Sequence, residues 1–518
     1  MLNAMPRPAK PVLLVIIDAF ASRVANVAMN DGRLPTLARL ARHGRMTSEC
    51  WSMFPSITPA ATCTLHTGVY PQRHGVAGAY WYDRKTDRVA YYGDDVWAIL
   101  QHGHGRFFHE FQVTLNYEHL RVPTIYELAQ GQGLRTACLN SMWFRGGTPH
   151  KVHVPWLFKL LPGVESKKSL NGPDILCLAD FVSTDPDGGK KPLTAPGGAT
   201  RRFGFHDETT AEYLIGLAKR GRLPDATVAY FPNNDYESHE RGPMNAIDTL
   251  QFVDQSLNRL FEARGGFDAF LEETAILITG DHSQSDTLED DDERSIDFDQ
   301  VLSEFSLVAA GTEWGEGEQV MACPNMRAAE IYIRDGADAR ERVIQALLAE
   351  PRIDQVLWAD PSSGRAESFH VATHDRGRLA FQPGQGRSET GRDGFGGEWS
   401  WDGDLAAVNG ELNGGELRFG DYPNAFERIA GAFFDEAGQI LLTARLGYEF
   451  VLPGTNTHPG GSHGSLHRID STAPLITAGL PEDVVVPDPA RTVDVVPLML
   501  LSLNIPFSYA PGEARRPS

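Results

Sequence analysis

The chain has little with which to cross-link itself, span a bilayer or track a polyanion. Its 518 residues contain five cysteines (Cys50, Cys63, Cys138, Cys177 and Cys323), odd in number, widely spaced and without a CxxC pair. That pattern excludes a disulfide framework and a cysteine-based zinc knuckle, and it reads as reduced thiols. Positive charge is also scarce: 47 Lys and Arg stand against 68 Asp and Glu, a formal net charge of −21. A nucleic-acid groove needs clustered Lys and Arg to neutralise phosphates. A phosphorylated partner here is therefore expected to be small, with bound metal supplying the local positive charge. No apolar run is long enough for a transmembrane helix. The run Val12–Ile17 follows Arg7 and Lys10 as a signal peptide would, yet it is short, lacks a small-residue cleavage site and ends on Asp18. A buried strand is the better reading, and a cytoplasmic location without a membrane partner is expected. Repeats and low-complexity tails are absent as well.

What remains is ordinary globular material, 42% hydrophobic and 22% charged. At ~150 residues per domain the length allows several domains, but large α/β enzymes often carry one big sheet with insertions. PVLLVIID (Pro11–Asp18) is a continuous apolar run ending in an acid, as a parallel strand buried on both faces requires. Ala226–Pro232, Thr274–Asp281 and Ala473–Gly479 read the same way. Pro35–Gly44 predicts a short helix with Pro in its first turn and Gly at its end. Ile247, Leu250, Val253, Leu257 and Leu260 recur at three- and four-residue spacing, an amphipathic helix. Alternating strands and helices predict an α/β fold, a mostly parallel central sheet sandwiched by helices. Residues 362–447, rich in Gly, Arg and Asp, predict an inserted smaller cap or subdomain between a catalytic domain begun over 1–361 and completed over 448–518. The run Glu289–Glu293 predicts a solvated loop.

Ligands gather beyond the carboxyl ends of such strands, and the chemistry-bearing residues fall there. In MFPSITPAATCTLHTGVYPQRHG (Met53–Gly75), Thr58 precedes Pro59 at the opening of a helix. Backbone N–H groups there favour an anion; the equally good alternative is that Thr58 only caps the helix. As a nucleophile, Thr needs a metal or base to lower its pKa. In YFPNNDYESHERGP (Tyr230–Pro243), Asp235 and His239 lie four apart, one helical turn, and offer oxygen and nitrogen to a metal. ILITGDHSQSD (Ile276–Asp286) puts Asp281 and His282 directly after a strand, where a turn lets both converge. HPGGSHGSLHR (His458–Arg468) surrounds His463 with Gly and Ser, with His458 and His467 as competitors. Singly, each has a bland reading as cap, solvated ion pair or solvated histidine. Together Asp18, Thr58, Asp235, His239, Asp281, His282 and His463 are a hydroxyl nucleophile with ligands for two divalent metals, a set for metal-assisted hydrolysis of a phosphoryl ester.

In order and spacing these segments resemble the alkaline phosphatase superfamily, most closely its nucleotide pyrophosphatase/phosphodiesterase branch, from about Val12 to Ile505. TGVYPQRHG (Thr67–Gly75) is similar to that family's TGxYPxxHG, and DVVPLMLLSLNI (Asp494–Ile505) to its final helix. The resemblance implies one metal held by Asp18, Thr58, Asp281 and His282, and a second held by Asp235, His239 and His463. Zinc is the first candidate, with manganese or magnesium as alternatives. It also implies in-line attack by Thr58, a covalent phospho-threonine intermediate and a small phosphodiester or pyrophosphate as substrate.

Three positions depart from the family pattern. Pro59 stands where an aromatic residue packs on the substrate base, Ala79 where an Asn bonds a phosphoryl oxygen, and PNND replaces PD ahead of His239. The chemistry therefore carries over further than the substrate. A phosphonate hydrolase or a phosphomonoesterase with the same site is the alternative, and a catalytically inactive metal-binding protein ranks below both. Mutase and sulfatase readings fall because TGVYPQRHG follows Thr58 closely and no C/S-x-P-x-R signature is present. Tyr80 and Trp81 are weak substrate-stacking candidates; aromatic residues in a strand more often pack in the core.

Overall fold

The computed structural model describes residues 10–92, 109–153, 169–186, 193–334, 337–362 and 365–507. Its centre is the strand Val12–Ile17, whose six residues are all buried. Leu13, Val15 and Ile17 enter one hydrophobic cluster, and Val12, Leu14 and Ile16 enter another on the opposite sheet face. A period of two with apolar residues at every position leaves no polar face, so helices must cover both sides. One face receives the helices Ser22–Asn30, Pro35–His43, Asp207–Arg220 and Ile247–Glu262, and the other receives Ile125–Gln130 and Val495–Ser502.

Val12–Ile17 pairs in parallel with Ala226–Phe231 on one side and Ala275–Thr279 on the other. Thr136–Leu139 and Ile175–Leu178 continue the parallel array. The full sheet has nine strands and is mostly parallel, as expected. Thr472–Ala478 breaks the direction, running antiparallel to both Ala275–Thr279 and Arg45–Trp51. The five cysteines are buried and unpaired. Among the described residues no helix is long and apolar enough to cross a membrane.

A second sheet of ten strands draws on Val320–Ala444. Its nearly continuous antiparallel pairing joins Val320–Asn325 and Ala328–Ile333 to Ile440–Ala444 and Ile353–Ser362, and only then reaches the glycine-rich strands. The 362–447 segment expected as an insert is thus hydrogen-bonded into a unit that starts some forty residues ahead of it. Helices cover this sheet too, Ala337–Ala349 on one face and Ala425–Ala432 on the other. Glu289–Glu293 is exposed, and the Asp290 carboxylate caps a short turn there by accepting from Asp292 and Glu293 N–H.

Truncating the central strand tests the two-sided core. Leu14→Ala is expected to cost about 2–5 kcal/mol, read as a lower urea midpoint with an unchanged transition slope. A loss under about 1 kcal/mol would show that the site collapses around the cavity.

Candidate active site

Three loops and two helices meet beyond the carboxyl edge of the first sheet. Asp18 directly follows the strand Val12–Ile17 and is 4% exposed. The next residue, Ala19, holds φ at +52°, a left-handed conformation that costs a non-glycine residue roughly 1–2 kcal/mol. The bend is held from two sides: Ala19 N–H donates to Asp281 Oδ1 at 3.2 Å, and Asn234 Nδ2 donates to the Asp18 and Ala19 carbonyls at 2.9 and 3.0 Å. Asp281 and His282 follow the neighbouring strand Ala275–Thr279 through Gly280. A Cβ at Gly280 would stand 2.8 Å from Phe20 Cβ, so this crossing needs glycine.

Thr58 opens the helix Thr58–Thr67, with Pro59 in its first turn. Its Oγ1 lies 3.0 Å from His282 Nε2. The His282 Nδ1 faces the Ser283 carbonyl at 3.1 Å, and a carbonyl only accepts, so Nδ1 carries the proton and Nε2 presents its lone pair to Thr58. The same device fixes the other two imidazoles. His239 Nδ1 donates to Gly461 O at 2.7 Å and His463 Nδ1 to Ser56 O at 2.7 Å. Each ring thereby turns Nε2 inward, as outer-shell carbonyls do for metal-bound histidine.

The seven residues singled out from the sequence are brought together. His282 Nε2 is 3.5 Å from Asp18 Oδ1 and 3.4 Å from Asp281 Oδ2. Asp235 Oδ2 is 3.3 Å from His239 Nε2, and its Oδ1 is 3.6 Å from His463 Nε2. Asp18, Asp281 and His282 offer ligand atoms within 4.8 Å of one another, as do Asp235, His282 and His463. His282 and His463 stack at 3.7 Å between the two groups.

A divalent cation fits this donor set on two grounds. Among the described residues, Asp18 Oδ1, Asp281 Oδ2, His239 Nε2 and His463 Nε2 are buried without a hydrogen-bond partner, an arrangement that costs free energy unless an ion or water satisfies it. Three carboxylates are also crowded together. Burial, and then the charges of Asp281 and Asp235, push the Asp18 carboxyl well above its ordinary range; burial and Asp235 likewise raise Asp281 against the pull of His282. Asp235 goes the other way: burial opposes, but His239, with His463 and His282, holds it far below. His239 is raised to about 9 against burial by Asp235, and burial followed by His282 drives His463 well below its usual value.

Several site residues carry no sequence signal. The Tyr230 hydroxyl donates to Asp18 Oδ2, and Gln284 Nε2 donates to Asp235 Oδ1 at 2.5 Å. Trp143 Nε1 donates to the Pro59 carbonyl at 3.0 Å. The hairpin tip Asn325–Arg327 reaches in from the second sheet. Asn325 Oδ1 accepts from Ala79 and Tyr80 N–H at 2.8 and 3.0 Å, and Nδ2 donates to the Tyr80 and Cys323 carbonyls. Arg327 N–H donates to His463 O at 3.0 Å. Its guanidinium pairs with Asp470 and donates to Ser285 Oγ at 2.8 Å. Gly464, at φ +118°, lets this tip approach; a Cβ there would meet Ile57 Cδ1 at 2.8 Å and Asn325 O at 2.9 Å. Tyr80 and Trp81, candidates for stacking on a substrate, are instead 3% and 1% exposed in a core cluster with Trp143 and Tyr332, and the Tyr80 hydroxyl accepts from Gly311 N–H at 2.8 Å. They point to opposite faces of the strand Tyr80–Asp83, and both faces are covered.

A hydroxyl held against carboxylates and imidazoles beyond a parallel sheet defines a phosphoester hydrolase of the alkaline phosphatase superfamily. The family model for type I phosphodiesterase / nucleotide pyrophosphatase matches residues 12–466, and the chain belongs to that family. Among solved structures it is similar to murine ectonucleotide pyrophosphatase/phosphodiesterase 5, an inactive form in complex with AMP: 13% identity, TM-score 0.54, 98% of this chain and 97% of that one covered. The human protein of the same name matches at 14% identity and TM-score 0.55 over 97% of each chain. Phosphonoacetate hydrolase from Sinorhizobium meliloti, in complex with phosphonoformate, matches at 17% identity and TM-score 0.55 over 96% of each. At these identities the likeness is one of fold.

The Arg327–Asp470 pair is testable through stability. Arg327→Met leaves Asp470 buried beside Ser465 without its paired guanidinium, at an expected cost of about 3–5 kcal/mol by chemical denaturation. An unchanged unfolding midpoint would remove the pair from any role in holding these loops.

Proposed function

We propose that the chain is a two-metal phosphohydrolase that cleaves a small phosphodiester or pyrophosphate through a covalent phospho-threonine. The observation that carries this reading is the Thr58 hydroxyl, 3.0 Å from an imidazole lone pair and beside four buried ligand atoms without partners among the described residues. Two divalent ions, zinc before manganese or magnesium, would be held by Asp18, Thr58, Asp281 and His282 and by Asp235, His239 and His463; they supply Lewis acidity and neutralise phosphoryl charge.

The chain's own groups do the rest. Thr58 Oγ1, fixed at a helix start, gives its proton to water and attacks phosphorus in line with the departing oxygen. The Oγ–P bond forms as the bond to the leaving oxygen breaks, and that oxygen takes a proton. Water then attacks the phospho-threonine, releasing phosphate or a phosphomonoester and restoring the hydroxyl. Burial of His282, Asp281 and Asp18 excludes bulk water and strengthens every charge interaction around the attacking oxygen. This reading includes a cytoplasmic location and a small soluble substrate.

A second reading uses the same site for a phosphonate or a phosphomonoester. It is favoured by the position of the missing Asn: the backbone at Ala79 is engaged by Asn325, whose carboxamide is itself fully used. No side-chain amide is thereby left for a phosphoryl oxygen at that point.

Thr58→Ala is expected to lower turnover about a thousandfold or more while bound metal, measured by elemental analysis, stays near normal. Retained turnover would sink the nucleophile assignment. Asp235→Asn is expected to reduce bound metal, with activity partly restored by added zinc. Rates on a bis-aryl phosphodiester, an aryl monoester and an aryl phosphonate, each with zinc and with manganese, separate the two readings. A dominant monoester or phosphonate rate would overturn the first.

A further inference from the structure

His458, a competitor to His463 in the sequence, packs against one of the site's histidines. Its ring centroid lies 4.1 Å from that of His239, with the two planes 36° apart. His239 has the greatest need of such a neighbour. Among the described residues, the two groups whose ligand atoms converge within 4.8 Å include Asp235 and His463 but not His239. His239 approaches them from the edge, with Nε2 3.3 Å from Asp235 Oδ2. Its hydrogen bond from Nδ1 to the Gly461 carbonyl fixes one corner of the ring and leaves the tilt open. Tilt decides where Nε2 aims, because its lone pair lies in the ring plane. A flat side chain against the ring removes that freedom.

A buried carboxylate holds His458 in turn. Glu449, 1% exposed, accepts from the His458 backbone N–H at 2.6 Å, from its Nδ1 at 2.9 Å and from the Ser462 hydroxyl. Burial opposes its charge, but His458 and Ser462 keep the carboxyl below its ordinary range. Three donors on two oxygens suit a carboxylate; an amide would turn its NH2 toward one of them. The His458 carbonyl is anchored as well, accepting from Thr287 Oγ1 at 2.9 Å. Next to Glu449, Phe450 and Leu452 are packed in the core of the second sheet. The carboxylate is thus braced by that sheet and not by the strands that carry Asp18 and Asp281.

A carboxylate that fixes an imidazole through Nδ1–H is a recurring support of metal-bound histidine; here the support is passed on to a second ring. We propose that Glu449 and His458 are a positioning pair for the second cation: the carboxylate fixes the His458 ring, and that ring sets the plane of His239. This rests on Asp235, His239 and His463 as the holders of that ion. It makes the affinity of one ion, and not the other, depend on two residues that touch neither.

Zinc affinities measured by competition with a chromogenic chelator test this without turnover. His458→Ala is expected to weaken one of the two ions about tenfold or more and to leave the other within about twofold. Glu449→Gln, which keeps the size of the side chain, is expected to weaken the same ion about threefold or more. Because the acid acts through the ring, the double variant is expected to fall within about twofold of His458→Ala. In Asp235→Asn, which has lost that ion, adding His458→Ala is expected to leave the remaining affinity within about twofold. Equal weakening of both ions, unmoved affinities or additive losses in the double variant overturn the proposal and leave the two-metal reading intact. A wild-type protein that binds no zinc, manganese or magnesium overturns both.

Discussion

Three carboxylates within reach of one another, Asp18 and Asp281 fully buried and Asp235 half-buried, are the constraint on which the rest of the site depends. Asp18, Asp281 and Asp235 repel one another in a medium that screens poorly. Their charge is met by Ala19 N–H, by the Tyr230 hydroxyl, by the Gln284 amide and by His239, raised to about 9 beside Asp235. Each of these donors must be held in turn. That requirement explains why His239, His282 and His463 each have Nδ1 tied to a backbone carbonyl, and why a strained Ala19 is tolerated. The fold supplies rigidity where the chemistry needs like charges to stay close.

The second sheet belongs to the same economy of restraint. Its hairpin tip is bonded to the segment after the nucleophile helix through Asn325 and to the His463 loop through Arg327. Asp470, paired with Arg327, also accepts from Ser465 Oγ at 2.5 Å, and its carbonyl accepts from Ser283 N–H. Loops from distant parts of the chain thus converge on one buried ion pair. Phe54 and Leu466, which flank the nucleophile and the last histidine, sit in the hydrophobic cluster of the second sheet.

How much of this could be read from the sequence follows from the kind of signal each part leaves. Val12–Ile17, Ala226–Phe231 and Ala275–Thr279 were legible because burial on both faces writes an unbroken apolar run, and Ile247–Glu262 because one buried stripe writes a helical period. The direction of Thr472–Ala478 was not, since an apolar run is the same read either way. Thr136–Leu139 and Ile175–Leu178 are four residues each, too short to show a period. The ligand residues stood out because strand ends and loop glycines frame them. Arg327 and Asp470 did not, because partners 143 positions apart leave no local pattern. Tyr80 and Trp81 invited a substrate role that burial on both strand faces withdraws.

The hairpin lock also governs how a ligand arrives. With Asn325 and Arg327 bonded across to the Ala79–Tyr80 segment and the His463 loop, the two sheets meet beside Thr58. Arrival is then a matter of encounter, paced by diffusion and by the field of the molecule. The chain's formal charge of −21 gives that field a net negative sign, so salt, by screening it, weakens the long-range repulsion of any anion.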